Sequence, residues 1–358
     1  VNALRGAGVA IALLGVGLLL RGELVVHATS EDASNLYTDH LRHMGEAAVL
    51  VDQGLDVYRV PYGGLITREA GVGAEHQVLF PERTAPYPPI GILTHWPWMQ
   101  LERSDVLSPV TAHRAVVWMW LAVALLGVVA VTRLFEPLPP IAQAWAAALA
   151  IPLLIGMGVN GFFDCAYLLA GVAGLIFWRR GQPAIALACL AAAAAMHFRA
   201  AVFAPVAAVI LFEQRRCFVR LLPSFVLVVP TLVAAAALSG TLNTIPADNP
   251  VHYTHFKLAL TLLIVLSAAT TLWLTREGEP LVAATVATAF VLAILEHSHG
   301  WWHAGTLLAP GLVLAARPAR VGWFWPVLWV WTVASAYLAF RHPLSPFWEW
   351  VRFALIAQ

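Results

Sequence analysis

Residues 179–216 read RRGQPAIALACLAAAAAMHFRAAVFAPVAAVILFEQRR, and how this stretch crosses space decides the fold. Arg179-Arg180 and Arg215-Arg216 bracket two apolar runs, Pro183–Met196 and Ala200–Phe212. Arginines in short loops mark the cytoplasmic side of a membrane protein, so both pairs belong on one face. A single traverse would separate them, so a hairpin or re-entrant loop is required. Its tip is Met196-His197-Phe198-Arg199. An imidazole and a guanidinium at that depth are costly unless they face water or protein.

The rest of the chain agrees with a bilayer setting. Its 358 residues are 60% hydrophobic and only 11% charged, with a mean hydropathy of +0.75, where a soluble domain carries roughly 25% charged residues. Besides the two runs above, candidate spans are Ala7–Val26, Val110–Arg133, Ile141–Val159, Phe163–Trp178, Leu221–Ser239, Leu258–Leu274, Leu281–Leu295, Trp302–Ala315 and Trp323–Phe340. Several fall short of the ~20 residues of a spanning helix and are expected to be tilted, broken or half-helices. Ala7–Leu20 behind Arg5 has the length of a signal-peptide core. No small-residue cleavage site follows it, so it is taken as the first span. The expected fold is an all-α polytopic membrane protein, one transmembrane domain over residues 1–358 with about 11 transmembrane helices.

With the N-terminus in the cytoplasm, the inner loops hold ten arginines against four acids. The outer side then receives eleven cations and sixteen acids, and all thirteen histidines. That one-sidedness marks where a polar site would be. Lys257 is the only lysine beside twenty arginines, a usage typical of GC-rich genomes that points to a bacterial inner (cytoplasmic) membrane. Cys165, Cys189 and Cys217 fall at three depths, too far apart to bridge, and read as small core hydrophobes. No basic footprint for nucleic acid is present.

The first outer loop, about 27–109, is far longer than a bundle connection needs. Within it, residues 35–53 space Leu36, Leu41, Met44, Ala47, Ala48, Leu50 and Val51 as one helix face, predicting an interfacial helix on the bilayer. Tyr87-Pro88-Pro89 opens a second short helix, about 88–101, whose Trp96 and Trp98 suit the headgroup level.

Several polar groups at this face have chemical potential. Asp39, in Tyr37-Thr38-Asp39-His40, could deprotonate a hydroxyl at the water–membrane boundary or simply be a solvated acid on a helix face. His297, His299 and His303 follow Glu296 beside Trp301 and Trp302. They read as donors at the level of a lipid phosphate, as an ordinary aromatic belt, or, for His299 and His303, as metal ligands one turn apart. Arg199 with His197 calls for an anionic substrate or, as an equal alternative, a structural partner such as Asp164. Asp164 could equally cap the helix it opens. No Gly-rich phosphate loop, nucleophile elbow, CxxC or HExxH occurs, so a transferase here would draw on a membrane-borne donor rather than a nucleotide sugar.

Taken in order, four stretches resemble the GT-C membrane glycosyltransferases. The likeness is to bacterial polyprenol-phosphate-mannose-dependent mannosyltransferases and the related GPI mannosyltransferase I family. They are Asp39 with Gly45-Glu46-Ala47-Ala48 and Gly54-Leu55-Asp56-Val57-Tyr58; Tyr87-Pro88-Pro89; Gly161-Phe162-Phe163-Asp164 with Arg179-Arg180-Gly181, Met196-His197-Phe198-Arg199 and Pro205; and Glu296–His303 leading to Leu307-Leu308-Ala309-Pro310. The resemblance covers most of Arg5–Ala315. Ala200-Ala201 stand where relatives tend to carry Tyr-Pro. It implies a polyprenyl-phosphate sugar donor, a glycan, lipid or protein acceptor, and inverting transfer with Asp39 as general base. His197, Arg199, His297, His299, His40, Tyr87 and Asp164 would then serve the donor phosphate and substrate. No dedicated cofactor is implied; the acid-rich loop permits a divalent cation without showing ligand spacing. A transporter or flippase for an anionic lipid or solute is the alternative, and a non-enzymatic or metal-binding membrane component a third.

Overall fold

The computed structural model describes residues 47–48, 50–51, 53–54, 57, 89–138, 140, 143, 150–151, 154–158, 163–216, 281–282, 284–286, 288–289 and 304–316. Among these residues all regular structure is helical. In chain order the complete elements are α1 (Pro89–Leu93), α2 (Trp96–Arg103), α3 (Pro109–Phe135), α4 (Asp164–Arg179), α5 (Pro183–Met196), a 3-10 helix (Phe198–Phe203), α6 (Ala204–Glu213) and α7 (Ala304–Ala316).

α3 is the longest of these. Ser108 caps it, its hydroxyl oxygen accepting the Thr111 amide N–H at 3.3 Å, and Pro109 sits where no N–H is needed. Among the described residues, Val110–Phe135 is the one helix long and apolar enough to cross a membrane. Val116, Val117, Trp120, Ala124, Val131 and Leu134 form its buried stripe. On the other side Trp118, Leu125, Leu126 and Val129 are each more than half exposed. The helix is therefore apolar on its exposed face as well as on its packed one. A returning helical segment at 154–158 touches it closely: a Cβ on Gly158 would stand 2.7 Å from Ala124 Cβ and 2.9 Å from Leu121 Cα. Glycine lets the two backbones approach, as small residues do between helices in membranes.

Contacts at the two ends of α4 fix the course of the arginine-bracketed stretch. At its start, Asp164 pairs with Arg199, the second residue of the 3-10 helix. At its end, the Trp178 indole N–H donates to the Glu213 carboxylate at 3.1 Å, at the last residue of α6. So α5 runs back along α4, and the 3-10 helix with α6 returns beside α5. The chain goes in and comes back, with both arginine pairs at one end. Arg179 also donates to the carbonyls of Leu134 (2.8 Å) and Arg133 (3.1 Å), bringing the C-terminus of α3 to that end.

α4 and α5 lie within a residue of the spans read from sequence, but two proline effects depart from them. The run Ala200–Phe212 is a 3-10 helix followed by α6 rather than one helix. Pro205 has no N–H for the carbonyl of Ala201, which takes the Ala204 N–H instead. Likewise the single helix expected over 88–101 is two helices, broken at Thr94-His95. The ring of Pro97 excludes a hydrogen-bonded carbonyl at Leu93, and α1 ends at that residue. α2 then packs on α3 through the turn at 104–108, Trp98 donating its indole N–H to Met119 Sδ at 3.4 Å.

Of the predicted interfacial helix at 35–53, Ala47, Ala48, Leu50 and Val51 are helical, and Gly54 follows at φ 81°, a conformation suited to glycine. Ala47, Ala48 and Leu50 are buried with Val57 and with Ile92 of α1. The spans at Ile141–Val159 and Leu281–Leu295 are helical at every described position. α7, two residues from the expected start of its span, packs on α3, α4 and the 3-10 helix. The spans Ala7–Val26, Leu221–Ser239, Leu258–Leu274 and Trp323–Phe340 lie outside the described residues.

Candidate functional site

The break between α5 and the 3-10 helix is a single residue. His197 has φ −151° and ψ 135°, an extended backbone between two helical ones. This turns the chain and drives the imidazole inward, where it is fully buried. Two residues on, Arg199 is also buried, and its Nη1 donates to Asp164 Oδ1 at 2.9 Å. Asp164, the first residue of α4, is buried as well. Taking these charges out of water costs several kcal/mol per ion, and the close pairing offsets that cost.

Hydrogen bonding fixes the protonation of His197. Its Nδ1 accepts the Arg199 backbone N–H at 3.0 Å, so Nδ1 carries no proton and the ring is neutral. The proton is then on Nε2, which lies 3.6 Å from Asp164 Oδ1, longer than a direct hydrogen bond. The ring is held on both sides by aromatic neighbours from α4 and its N-cap. Phe163 stacks on it with centroids 5.1 Å apart and planes at 24°, and Tyr167 lies tilted at 5.2 Å.

The aromatic contacts continue toward α1 and α2. Phe163 meets Trp120 of α3 at 6.3 Å, and Trp120 meets His95 at 5.8 Å. His95 closes the α1–α2 turn and is fully buried. Its Nδ1 lies 3.1 Å from the Gly91 carbonyl oxygen, which can only accept, so Nδ1 holds the proton. Nε2 is thereby left as acceptor for the Trp120 indole N–H, at 3.5 Å. Burial pushes the His95 imidazole down to about 4; the Gly91 hydrogen bond pulls the other way, and His113 adds a smaller lowering.

Of the residues singled out from sequence, the structure brings Asp164, His197 and Arg199 together. It realises Asp164–Arg199 as a direct ion pair rather than Asp164 as a helix cap, since the N-cap residue is Phe163 and no side chain caps that end. Asp39, His40, Tyr87, His297 and His299 lie outside the described residues. Sequence reading missed Tyr167, Trp120 and His95. Tyr167 carried a signal, lying three residues past Asp164 on the same helix face. His95 carried a fainter one, two residues before a proline inside an apolar run. Among the described residues, no group of three or more His, Cys, Asp or Glu could hold a metal ion.

No protein-family model, curated protein or solved structure matches this chain.

Proposed function

We propose that the protein is an integral membrane glycosyltransferase of the GT-C type. It moves a hexose such as mannose from a polyprenyl-phosphate donor to a hydroxyl of a glycan, lipid or protein acceptor, on the extracytoplasmic face of a bacterial cytoplasmic membrane. The observation that carries this reading is the buried Asp164–His197–Arg199 cluster, at the end of α4–α6 opposite both arginine pairs. In the eleven-span layout that end faces outward. The exposed apolar stripe of α3 supports contact with lipid, since a helix hydrophobic all round belongs in a large core or a membrane.

A polyprenyl-phosphate sugar has its tail in lipid and its anionic headgroup at the boundary. A site for it needs a cation and hydrogen-bond donors held rigidly, because fixed groups stabilise charge on the leaving phosphate without reorganising. Arg199 and His197 supply those groups. Asp164 repels a phosphate, so its part is to hold the guanidinium rather than to touch the donor. Asp39 is the general base: its carboxylate takes the proton of the acceptor hydroxyl as that oxygen bonds to the anomeric carbon. The bond from that carbon to the phosphate oxygen breaks on the opposite face, its electron pair leaves with the polyprenyl phosphate, and the centre inverts. The roles of Asp39, His40, Tyr87, His297 and His299 rest on the sequence resemblance.

The test is transfer of labelled mannose from polyprenyl-phosphate mannose in membranes carrying the protein. Asp39→Asn and Asp39→Ala are expected to lose about 10²-fold or more. Undiminished transfer by both variants removes Asp39 as the base. No transfer by the wild type, together with movement of labelled polyprenyl lipid across proteoliposomes, supports a flippase instead.

A further inference from the structure

We infer that His95 is a positioning residue for the Asp164–His197–Arg199 cluster, linking the α1–α2 turn to the His197 ring through Trp120 and Phe163. The inference rests on the proposed transfer only for what the positioning serves; the linkage itself is a matter of contacts. Three observations carry it. First, both ring nitrogens of His95 are committed, Nδ1 to the Gly91 carbonyl of α1 and Nε2 to Trp120 on α3. The turn is thus keyed to one tautomer and one indole orientation.

Second, Trp120 touches both sides of the linkage. Its N–H serves His95, its ring meets Phe163, and its backbone carbonyl accepts the Cys165 thiol, next to Asp164, at 3.5 Å. Moving this residue moves the start of α4. Third, Phe163 is stacked nearly parallel on His197. The plane of that stack decides whether Nδ1 faces the Arg199 amide and Nε2 faces Asp164. Packed interiors transmit such displacements because they hold few voids.

A histidine that merely fills a core would lower stability on substitution and leave the His197 ring unchanged. The discriminating readout is therefore the ring ¹⁵N spectrum of His197 in histidine-labelled protein in nanodiscs, with the signal assigned by His197→Gln. In the wild type the two ring nitrogens should be well separated, with the proton on Nε2. In His95→Phe and Trp120→Phe, which keep a ring and remove the hydrogen bond, they should move toward each other as the tautomers mix. His95→Gln, whose amide can donate to Gly91 and accept from Trp120, should restore the wild-type separation. Should His95→Phe fail to fold, Trp120→Phe decides alone. Unmoved His197 resonances in the folded Phe variants overturn the linkage. Assaying transfer on the same samples separates the two ideas: an inactive wild type with the expected shifts sinks only the function, and an active wild type with unmoved shifts sinks only the linkage.

Discussion

Asp164 and Arg199 stand 35 positions apart in the chain and 2.9 Å apart in space, joining the first residue of α4 to the segment just past the His197 break. Removing one partner of such a pair leaves a buried charge uncompensated, at about 3–5 kcal/mol. Arg199→Met and Asp164→Leu should each destabilise the protein by that order. The double variant should recover much of the loss, since it leaves no charge behind. A double-mutant cycle on unfolding in detergent reads this directly; additive losses would show that the two residues are not coupled.

His197 offers a narrower test. His197→Phe keeps a ring between Phe163 and Tyr167 but takes away the acceptor of the Arg199 N–H. A buried donor left unsatisfied costs about 1–3 kcal/mol. His197→Asn sacrifices the stacking and keeps an oxygen for that N–H. If the hydrogen bond dominates, the Asn variant has the higher unfolding midpoint. The opposite order would mean that ring packing, not the Nδ1 bond, sets the break.

Acid should loosen the α1–α2 turn. The His95 imidazole is held neutral down to about 4, against 6.5 in an opened chain. Its contribution is complete above pH 6.5. It falls as pH drops from 6.5 toward 4, because the opened form takes up a proton that the closed form refuses. The total is about 3 kcal/mol. Unfolding midpoints between pH 7 and 4 should fall less steeply for His95→Gln than for the wild type; parallel curves would exclude the imidazole as the source.

Two glycines at the α3 contact give a paired control. A Cβ on Gly158 meets Ala124 Cβ at 2.7 Å and the backbone of Leu121 and Trp120 at 2.9 and 3.0 Å. Gly158→Ala should cost about 1–3 kcal/mol through overpacking. A Cβ on Gly127 meets only the Leu154 methyls, at 3.6 and 3.7 Å, and Gly127→Ala should be neutral or slightly stabilising by helix propensity. Equal thermal shifts for the two variants would argue against close approach at Gly158.

The hairpin of residues 183–213 was legible because two physical demands met there. Arginine pairs had to share a face, and apolar runs too short for a full span had to turn at the one polar tip. The Asp164–Arg199 pair was legible only as an option, since pairing depends on how far α4 and α5 slide past each other. The register comes from packing such as a Cβ-free Gly171 against the ring of Phe203, which no periodicity records. The splits before Pro97 and Pro205 were readable from the missing N–H and the crowded carbonyl four residues back, but hydrophobicity alone runs straight through both. His95 was hidden for another reason. Beside Trp96, Pro97 and Trp98 it has the composition of a headgroup belt, and only the break after Leu93 rotates it into the core.

The guanidinium of Arg179 grips the last carbonyls of α3, and at the opposite end the Asp164–Arg199 pair and the His95–Trp120 contact tie α4 and the α1–α2 turn to their neighbours. Both poles of the bundle are therefore pinned by directional polar contacts, while apolar side chains fill the stretch between them. Such a bundle should open as one unit rather than peel from either pole, so amide hydrogen exchange should be comparably slow around Leu134 and Arg179 and around Phe163 and Arg199.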